Sequence, residues 1–220
     1  MNIKDYREKE LKEFVIANVL AIIVLSGMSF VDGIVMNEGY LKLLCTIIEA
    51  GVVSGAIYAL VMVFDSVISS DLKMHIVFQW RTQPGEKIFS KIREKNIDKR
   101  FTVEDIKGRY PKLYVEMPGD KKKRRLYENG LWYSMYIKNE DNIKIQIIQR
   151  DYLLCRDMTV STLVTLILYI LFVLFTDVIQ IRWNVIIYLV TMFGICMIAA
   201  NKKAERFVST VIACDVKKDI

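Results

Sequence analysis

The chain has 220 residues and a formal net charge of +6 at pH 7, with 53% hydrophobic and 25% charged residues. A soluble domain is rarely this apolar and this charged at once, unless the two properties are segregated along the chain. They are segregated here, because Lys and Arg are absent from four windows: 14–31, 43–64, 158–175 and 185–200. The composition argues against a soluble globular protein and predicts an all-α membrane protein.

The first thirteen residues hold four basic and four acidic residues, and the first apolar window follows directly. A charge-rich start without a small-residue cleavage site is typical of a retained helix and not of a signal peptide. The first three windows have the ~17–25 residues that a membrane-crossing helix needs, and Trp183 and Asn184 lengthen the fourth. We predict four transmembrane helices arranged 2+2, in hairpins at residues 14–64 and 158–200.

The distribution of Lys and Arg predicts the orientation of these helices. The short loops 32–42 and 177–183 contain one basic residue each, and the other 29 of the 31 lie in the tails or the central segment. Because basic residues favour the cytoplasmic side, we expect the tail 1–13, the segment 65–157 and the tail 201–220 in the cytoplasm. The chain is then a multi-pass protein of a bacterial inner membrane, with both termini cytoplasmic. The four cysteines fit this reducing side and indicate no disulfide framework.

The segment 65–157 is predicted to form a small helical cytoplasmic domain between transmembrane helices 2 and 3. Pro84 is placed to begin a helix, Thr102 and Asp105 have the spacing of a capping box, and apolar residues recur at helical spacing after Lys121. Residues 143–147 alternate as in a strand, but their continuity with the third span favours a helix. The tail 201–220 has one apolar face. It can lie on the membrane, dock on this domain or extend the fourth span, and docking is the interpretation that we favour.

Sequence motifs of common catalytic and metal sites are missing. The chain contains no CxxC, HExxH, GxSxG or GxxxxGK motif, and His75 is its only histidine. These are the usual parts of metal-assisted hydrolysis, acyl transfer and P-loop chemistry. We therefore predict no enzyme activity, no catalytic residues, no metal site and no cofactor.

The densest basic run follows the turn Pro118-Gly119-Asp120 and is itself followed by aromatic residues. We call it the basic-aromatic surface: Lys121, Lys122, Lys123, Arg124, Arg125, Trp132 and Tyr133. Such a run can be a solvated helix start, a site for anionic lipid or an acidic partner, or a site for nucleic acid. The first two interpretations are favoured, and nucleic acid is the least expected.

The second predicted span contains a small-residue stripe and one acidic residue. Gly51, Gly55 and Ala59 recur every four residues, which allows close helix approach either to another copy or to another span of the same chain. Glu49 lies about 200° around the helix from Gly51, so it faces elsewhere. Its carboxylate is predicted either to line a pore or proton-coupled position, or to reach headgroups at the outer boundary, the second being slightly favoured.

The stretch RDYLLCRD, residues 150–157, places four charges directly before the third apolar window. Side chains pair along a helix at spacings of three or four, and none of Arg150, Asp151, Arg156 and Asp157 has another of the four there. We therefore expect their partners on other segments, at the cytoplasmic boundary, as a boundary ion-pair network. The candidate partners are Asp65, Asp71, Lys73, Lys202, Lys203, Glu205 and Arg206. Ordinary boundary charges that only orient the helix are the alternative.

The stretches PGEKIF, DKRFTVEDI, YENGLWYSMY and RDYLLCRD, with the tail RFVSTVIACDV, carry a resemblance. The chain resembles a family of small bacterial four-span membrane proteins of undetermined activity. Its layout is also similar to that of small membrane proteins of antiphage defence systems. That similarity implies a cytoplasmic domain that receives a signal and spans that perturb the membrane.

Two functions are compatible with these features. The first is a non-enzymatic, homo-oligomeric membrane effector or sensor, whose cytoplasmic domain recognises a small ligand or a cytosolic protein and acts on the spans. The second is a membrane anchor or scaffold that recruits a cytosolic partner through the basic-aromatic surface. Membrane lipids are expected partners in both cases.

Overall fold

A computed structural model describes residues 3–26, 39–95, 98–175 and 181–217, without the side chains of residues 3–5, 39–47, 49, 50 and 53. This part of the chain is all-α. Its helices are α1 (Ile3–Ser26), α2 (Gly39–Val67), α3 (Ser70–Phe78), α4 (Ile88–Glu94), α5 (Val103–Arg109), α6 (Lys121–Lys138), α7 (Ile143–Phe175) and α8 (Trp183–Val216), with a 3-10 turn at Pro84–Glu86.

The chain divides into two compact units. Unit 1 consists of Met1–Val77 and Leu154–Ala199, and unit 2 consists of Phe78–Leu153 and Ala200–Ile220. The divisions fall within α3, α7 and α8, so each of these helices contributes residues to both units.

Unit 1 contains the helices that are suited to a membrane. By length and composition, α7 and α8 are each able to cross one, and Ser54–Val67 with Ser70–Phe78 is a third candidate that bends by 103°. Two or three such helices support the prediction of an all-α membrane protein. The predicted first span, 14–31, is described only to residue 26, where it belongs to α1.

Apolar side chains hold the helices of unit 1 together in two clusters. The larger joins α1, α2 and α7 through six buried residues: Leu11, Val15, Val19, Val61, Val160 and Val164. The smaller joins α1, α7 and α8 through Ile22, Tyr169, Val185 and Leu189. The buried residues of α1 recur every three or four positions, as one face of a helix requires.

Unit 2 has its own core, formed by α4, α5, α6 and the parts of α7 and α8 that belong to it. Phe207 of α8 contacts three aromatic side chains there, since the ring centroids of Trp132, Tyr136 and Tyr152 lie 5.5, 5.7 and 6.2 Å from its own. The tail predicted to dock on this domain is the C-terminal part of α8. Its apolar face is buried there.

The local predictions for unit 2 are confirmed at the ends of its helices. Pro84 begins the 3-10 turn that precedes α4, and Thr102 and Asp105 form the two-way capping box of α5. The 143–147 segment is helical and not a strand. The helix after Thr102 is shorter than the apolar spacing suggested, because it ends at Arg109 and residues 111–115 form turns.

Candidate functional site

A cluster of five charged side chains lies in unit 1, centred on Asp157. Three cations approach the Asp157 carboxylate, which is 2% exposed. The distances are 2.9 Å from Arg156 Nη2 and 3.8 Å from Lys73 Nζ to Oδ1, and 3.7 Å from Arg7 Nε to Oδ2. Asp65 completes the cluster, since its Oδ1 lies 2.5 Å from Lys73 Nζ. We call these five residues the charge cluster.

The bend between α2 and α3 brings Lys73 to its partners. Asp65 lies before the bend and Lys73 after it, so a straight helix would separate their Cα atoms by about 12 Å at 1.5 Å per residue. The Ser69 hydroxyl accepts a hydrogen bond from the Leu72 amide (3.3 Å), which caps the first turn of α3. Because α3 begins anew at this cap, its first turns can carry Lys73 back towards Asp65.

Because the charge cluster is largely buried, the number of cations and carboxylates in it affects the pKa of Asp157 and the cost of losing one member. Three cations face two carboxylates, and the Lys73 side chain is only 7% exposed. Burial raises the pKa of the Asp157 carboxyl and the Asp65 carboxylate acts in the same direction, while Arg156 and Lys73 lower it. A cluster of this kind contributes little net stability but penalises the loss of one member, since an unpaired charge is then left in a poorly solvated place.

Buried polar side chains continue from the charge cluster along α7. They are hydroxyls that hydrogen-bond to carbonyls of their own helix: Thr159, Ser161, Thr162 and Thr165. On α1, the Asn18 side chain accepts a hydrogen bond from the Tyr188 hydroxyl of α8 (3.0 Å). The Ser54 hydroxyl of α2 is also buried, and among the described residues it has no hydrogen-bond partner.

Unit 1 therefore contains buried polar side chains from α1, α2 and α7. We call the four hydroxyls of α7, with Asn18 and Ser54, the polar track. Each hydroxyl that donates to its own helix keeps an acceptor site for water or an ion. A buried hydroxyl such as that of Ser54 is normally satisfied, by water where protein groups are not available.

A second, separate set of charges lies in unit 2. Arg150 Nη2 and Lys203 Nζ lie 2.7 and 2.9 Å from the two oxygens of Asp151. Burial acts to raise the pKa of Asp151, but hydrogen bonds from Arg150 and Lys203 hold it below its usual value. These side chains are 22–37% exposed, so water screens the pairs and each adds little to the free energy of unfolding.

The structure corrects the prediction that the four charges of RDYLLCRD do not pair with each other. Arg150 binds Asp151 and Arg156 binds Asp157, each to its immediate neighbour. Adjacent helical residues point about 100° apart, but the long guanidinium side chain folds back and reaches the next carboxylate. The predicted partners from other segments also appear, as Lys203 for Asp151 and Lys73 for Asp157. The network is divided between the two units.

The small-residue stripe is open in the single chain. Gly51, Gly55 and Ala59 are exposed, and a Cβ added at either glycine would meet no described atom within 4 Å. The described residues thus give no support to packing of the stripe against another span of the same chain. Glu49 lies in α2, but its side chain is outside the described residues.

The basic-aromatic surface is not one surface in the structure. Lys121, Lys122, Lys123 and Arg125 are exposed at the start of α6, where Asp120 caps the helix. Arg124 instead donates to the carbonyls of residues 118 and 119. Trp132 packs on Phe207 and donates to the Val208 carbonyl (3.2 Å), so it belongs to the core of unit 2. Tyr133 remains exposed, about two turns of helix from the basic run.

Sequence reasoning did not identify Arg7 or the polar track. Arg7 is one of several charges in a mixed segment, and nothing local distinguishes it. Thr159, Thr162 and Thr165 do have a signal, because three hydroxyls recur on one face of an apolar span. Within the part of the chain described, no group of three or more His, Cys, Asp or Glu side chains is placed to hold a metal ion.

Comparison with models of protein families, with curated proteins and with solved structures finds no match to this chain.

Proposed function

We propose that the protein is a non-enzymatic, homo-oligomeric effector of the bacterial inner membrane, with four spans and both termini in the cytoplasm. Unit 2 serves as the cytoplasmic domain that recognises a ligand or a partner. Unit 1 responds by changing the permeability of the bilayer. A role in antiphage defence, which the resemblance of the sequence implies, belongs to this proposal.

The observation that carries the proposal is the charge cluster at the start of the apolar part of α7, with the polar track beyond it. Polar groups within a membrane bundle are costly, and they commonly mark pathways for ions or protons. The residues of the polar track lie within the predicted spans, and the charge cluster lies at their cytoplasmic ends. A bundle that served only as an anchor would need neither a buried Asp157 nor the buried hydroxyls. An apolar interior would be at least as stable.

The charge cluster can act as a latch, meaning a set of ion pairs that holds α3 and α7 in one of two arrangements. Lys73 lies between two carboxylates, close to Asp65 and 3.8 Å from Asp157. A small movement of α3 relative to α7 would change which carboxylate Lys73 binds, and the contacts of Asp157 would change with it. The chain passes between the units within α3 and α7, so a ligand that shifts either helix can bias this equilibrium.

The open small-residue stripe supports assembly of several copies. Two α2 helices can approach closely where Gly51, Gly55 and Ala59 face each other, because small side chains allow close backbone contact. Four helices of one chain leave little room for a conducting interior. An oligomer would supply the additional walls.

Ion flux from liposomes tests the proposal. Purified protein is reconstituted into vesicles loaded with potassium, and efflux is measured for wild type, Lys73→Met and the control Asp71→Asn. Asp71 is an exposed carboxylate of the same helix, outside the cluster. We expect Lys73→Met to open the latch and to leak several-fold faster than the other two proteins. The permeability proposal is refuted if all three, folded by circular dichroism, retain potassium as empty vesicles do.

The second candidate is an anchor that recruits a cytosolic partner. The four exposed cations at the start of α6 favour it, since they are available to an acidic surface. A pull-down with the spans intact, comparing wild type with a protein in which residues 121–125 are neutralised, tests this function. Equal capture by both proteins would eliminate the recruiting role of this run.

A further inference from the structure

A basic cavity lies in unit 2, apart from the basic run of α6. Its volume is about 590 Å³, within the ~300–1,000 Å³ typical of small-molecule sites. Among the described residues, its lining includes four cations, Arg100, Lys138, Lys144 and Lys217, and one carboxylate, that of Asp141. Lys138 and Lys144 lie on either side of the turn between α6 and α7, whereas Arg100 and Lys217 come from distant parts of the chain, so the fold brings them together.

A second cleft adjoins this cavity. It has a volume of about 470 Å³ and shares Arg100 and Lys217 with the first, while it adds Lys99 and Arg109. Asp105 is the one carboxylate among its described lining residues, and it accepts a hydrogen bond from the backbone amide of Thr102. The two clefts together present six cations and two carboxylates. We call this surface the basic cleft.

Arg100 is held rigidly where the two clefts meet. Its guanidinium donates to both carboxylate oxygens of Asp98, to Thr210 Oγ1 (2.9 Å) and to Ser209 Oγ (3.0 Å). These bonds use most of its five N–H groups, and Asp98 balances its charge. Arg100 therefore shapes the cleft, and the three lysines of the first cavity supply most of its positive potential.

Other features of the lining also favour an anion. Lys138 lies over the ring of Tyr110, with Nζ 5.9 Å from its centroid, and this cation–π contact holds its side chain beside the cavity. The N-terminus of α7 begins beside the cavity at residue 143, and its dipole adds positive potential. Asn142 and Thr210 add neutral polar groups to the lining.

We infer that the basic cleft binds a ligand carrying two or more phosphate groups. Several cationic side chains around a cavity of this size match the charge of such a ligand, whereas a single carboxylate would neutralise only one of them. The phosphates can belong to a soluble oligophosphate, such as the chain of a nucleotide, or to anionic lipid headgroups. This inference deepens the proposed function, since it gives the class of ligand that unit 2 recognises.

Binding of inorganic tripolyphosphate to the full-length protein in detergent tests the inference. The proteins compared are wild type, the double variant Lys144→Gln/Lys217→Gln, and the control Lys122→Gln/Lys123→Gln. The control removes the same charge from the exposed run of α6. Isothermal titration measures the affinity, and circular dichroism melting shows whether each variant is folded. Lys138 is kept because of its contact with Tyr110.

We expect the cleft variant to bind about tenfold more weakly than wild type, and the control to differ by less than about twofold, since close ammonium–phosphate contacts outweigh distant charges. Equal losses in the two variants would show a diffuse effect of net charge and would overturn the inference. Absence of binding to wild type would overturn it as well.

Vesicle flotation separates the two sources of phosphate. Protein in nanodiscs of phosphatidylcholine is mixed with vesicles of phosphatidylcholine, with or without phosphatidylglycerol. Capture that needs phosphatidylglycerol and the cleft lysines assigns the site to lipid headgroups, and binding of tripolyphosphate alone assigns it to a soluble ligand. These measurements do not involve ion flux, so the binding site can fail while the permeability proposal stands, and the reverse.

Discussion

Replacement of Lys73 by Met removes the cation that joins the two carboxylates of the charge cluster. Lys73 Nζ lies 2.5 Å from Asp65 and 3.8 Å from Asp157, and its side chain is 7% exposed. Methionine retains an unbranched apolar stem of similar length, so the packing of the lysine methylenes is largely preserved. The substitution therefore tests the charge more than the volume.

The expected loss of stability follows from the burial of the two carboxylates. Removal of one partner of a buried ion pair typically costs ~3–5 kcal/mol. Asp65 is 23% exposed and can regain water, and Asp157 keeps Arg156, so we expect the lower end, about 3 kcal/mol. For a chain of this length, about 3 kcal/mol corresponds to a decrease in Tm of about 6–12 °C.

The assay is reversible unfolding in detergent, followed by circular dichroism. Lys202→Met is the matched control, because Lys202 is 77% exposed and contacts Glu205 at 3.5 Å. An exposed pair contributes ~0–1 kcal/mol, so Tm should change by no more than about 4 °C. The double variant Lys73→Met/Asp65→Asn should recover about 1–2 kcal/mol, since it also removes the carboxylate left without its cation.

Two results would contradict this reasoning. If Lys73→Met and Lys202→Met change Tm equally, Lys73 is not buried with its partners in the folded protein. If the double variant is less stable than Lys73→Met by the full cost of Asp65→Asn alone, the two residues are not coupled.

Three further predictions concern unit 2. Tyr110→Phe should lower the free energy of unfolding by about 1.5–3 kcal/mol, because the hydroxyl donates to the buried carboxylate of Asp215 at 2.6 Å. Thermal melting compares two alanine variants. Gly85→Ala should destabilise the folded protein, because the added Cβ would meet side-chain atoms at 2.8 and 3.3 Å. Gly108→Ala should stabilise it by up to about 1 kcal/mol, because this position is helical and the added Cβ would meet no described atom within 4 Å. The Arg100 guanidinium lowers the pKa of the Asp98 carboxyl. The ion pair therefore stabilises the folded protein fully above about pH 4, the pKa of a free Asp, and this stabilisation is lost as the pH falls through the lowered pKa. Asp98→Asn should flatten the acid limb of the curve of Tm against pH.

Each of these predictions has its own contrary outcome. A Tyr110→Phe protein as stable as wild type would mean that Asp215 finds another donor, since Asn139 already donates to it at 2.9 Å. Equal effects of alanine at the two glycines would show that the close approach at Gly85 relaxes without cost. An unchanged acid limb in Asp98→Asn would assign the loss of stability to other carboxyls.

The local features of unit 2 were predictable because they depend on neighbours in the sequence. The capping box at Thr102 needs only a hydroxyl and a carboxylate three residues apart, and a proline at the first turn needs no partner. The end of α5 was not predictable in this way. Tyr110 has helical spacing from Ile106, but its hydroxyl binds Asp215, which is 105 residues away.

The role of Trp132 shows a second limit. In the sequence it follows a basic run, and so it suggested a surface that stacks on a ligand. In the structure it contacts Phe207, and its indole donates to the Val208 carbonyl. An aromatic residue can serve either role, and the presence of an apolar face on α8 decides between them.

The sequence by itself determined that the chain is all-α, which windows lack Lys and Arg, and where the charges stand next to those windows. These properties follow from periodicity and from the transfer free energy of single side chains, which are local. Only the tertiary structure decided which charges meet. Lys73 reaches Asp65 and Asp157 because α3 begins after a 103° bend, and Arg7 reaches Asp157 because α1 packs beside α7. An ion pair depends on distances of a few ångströms between distant segments, and only the packed helices establish those distances.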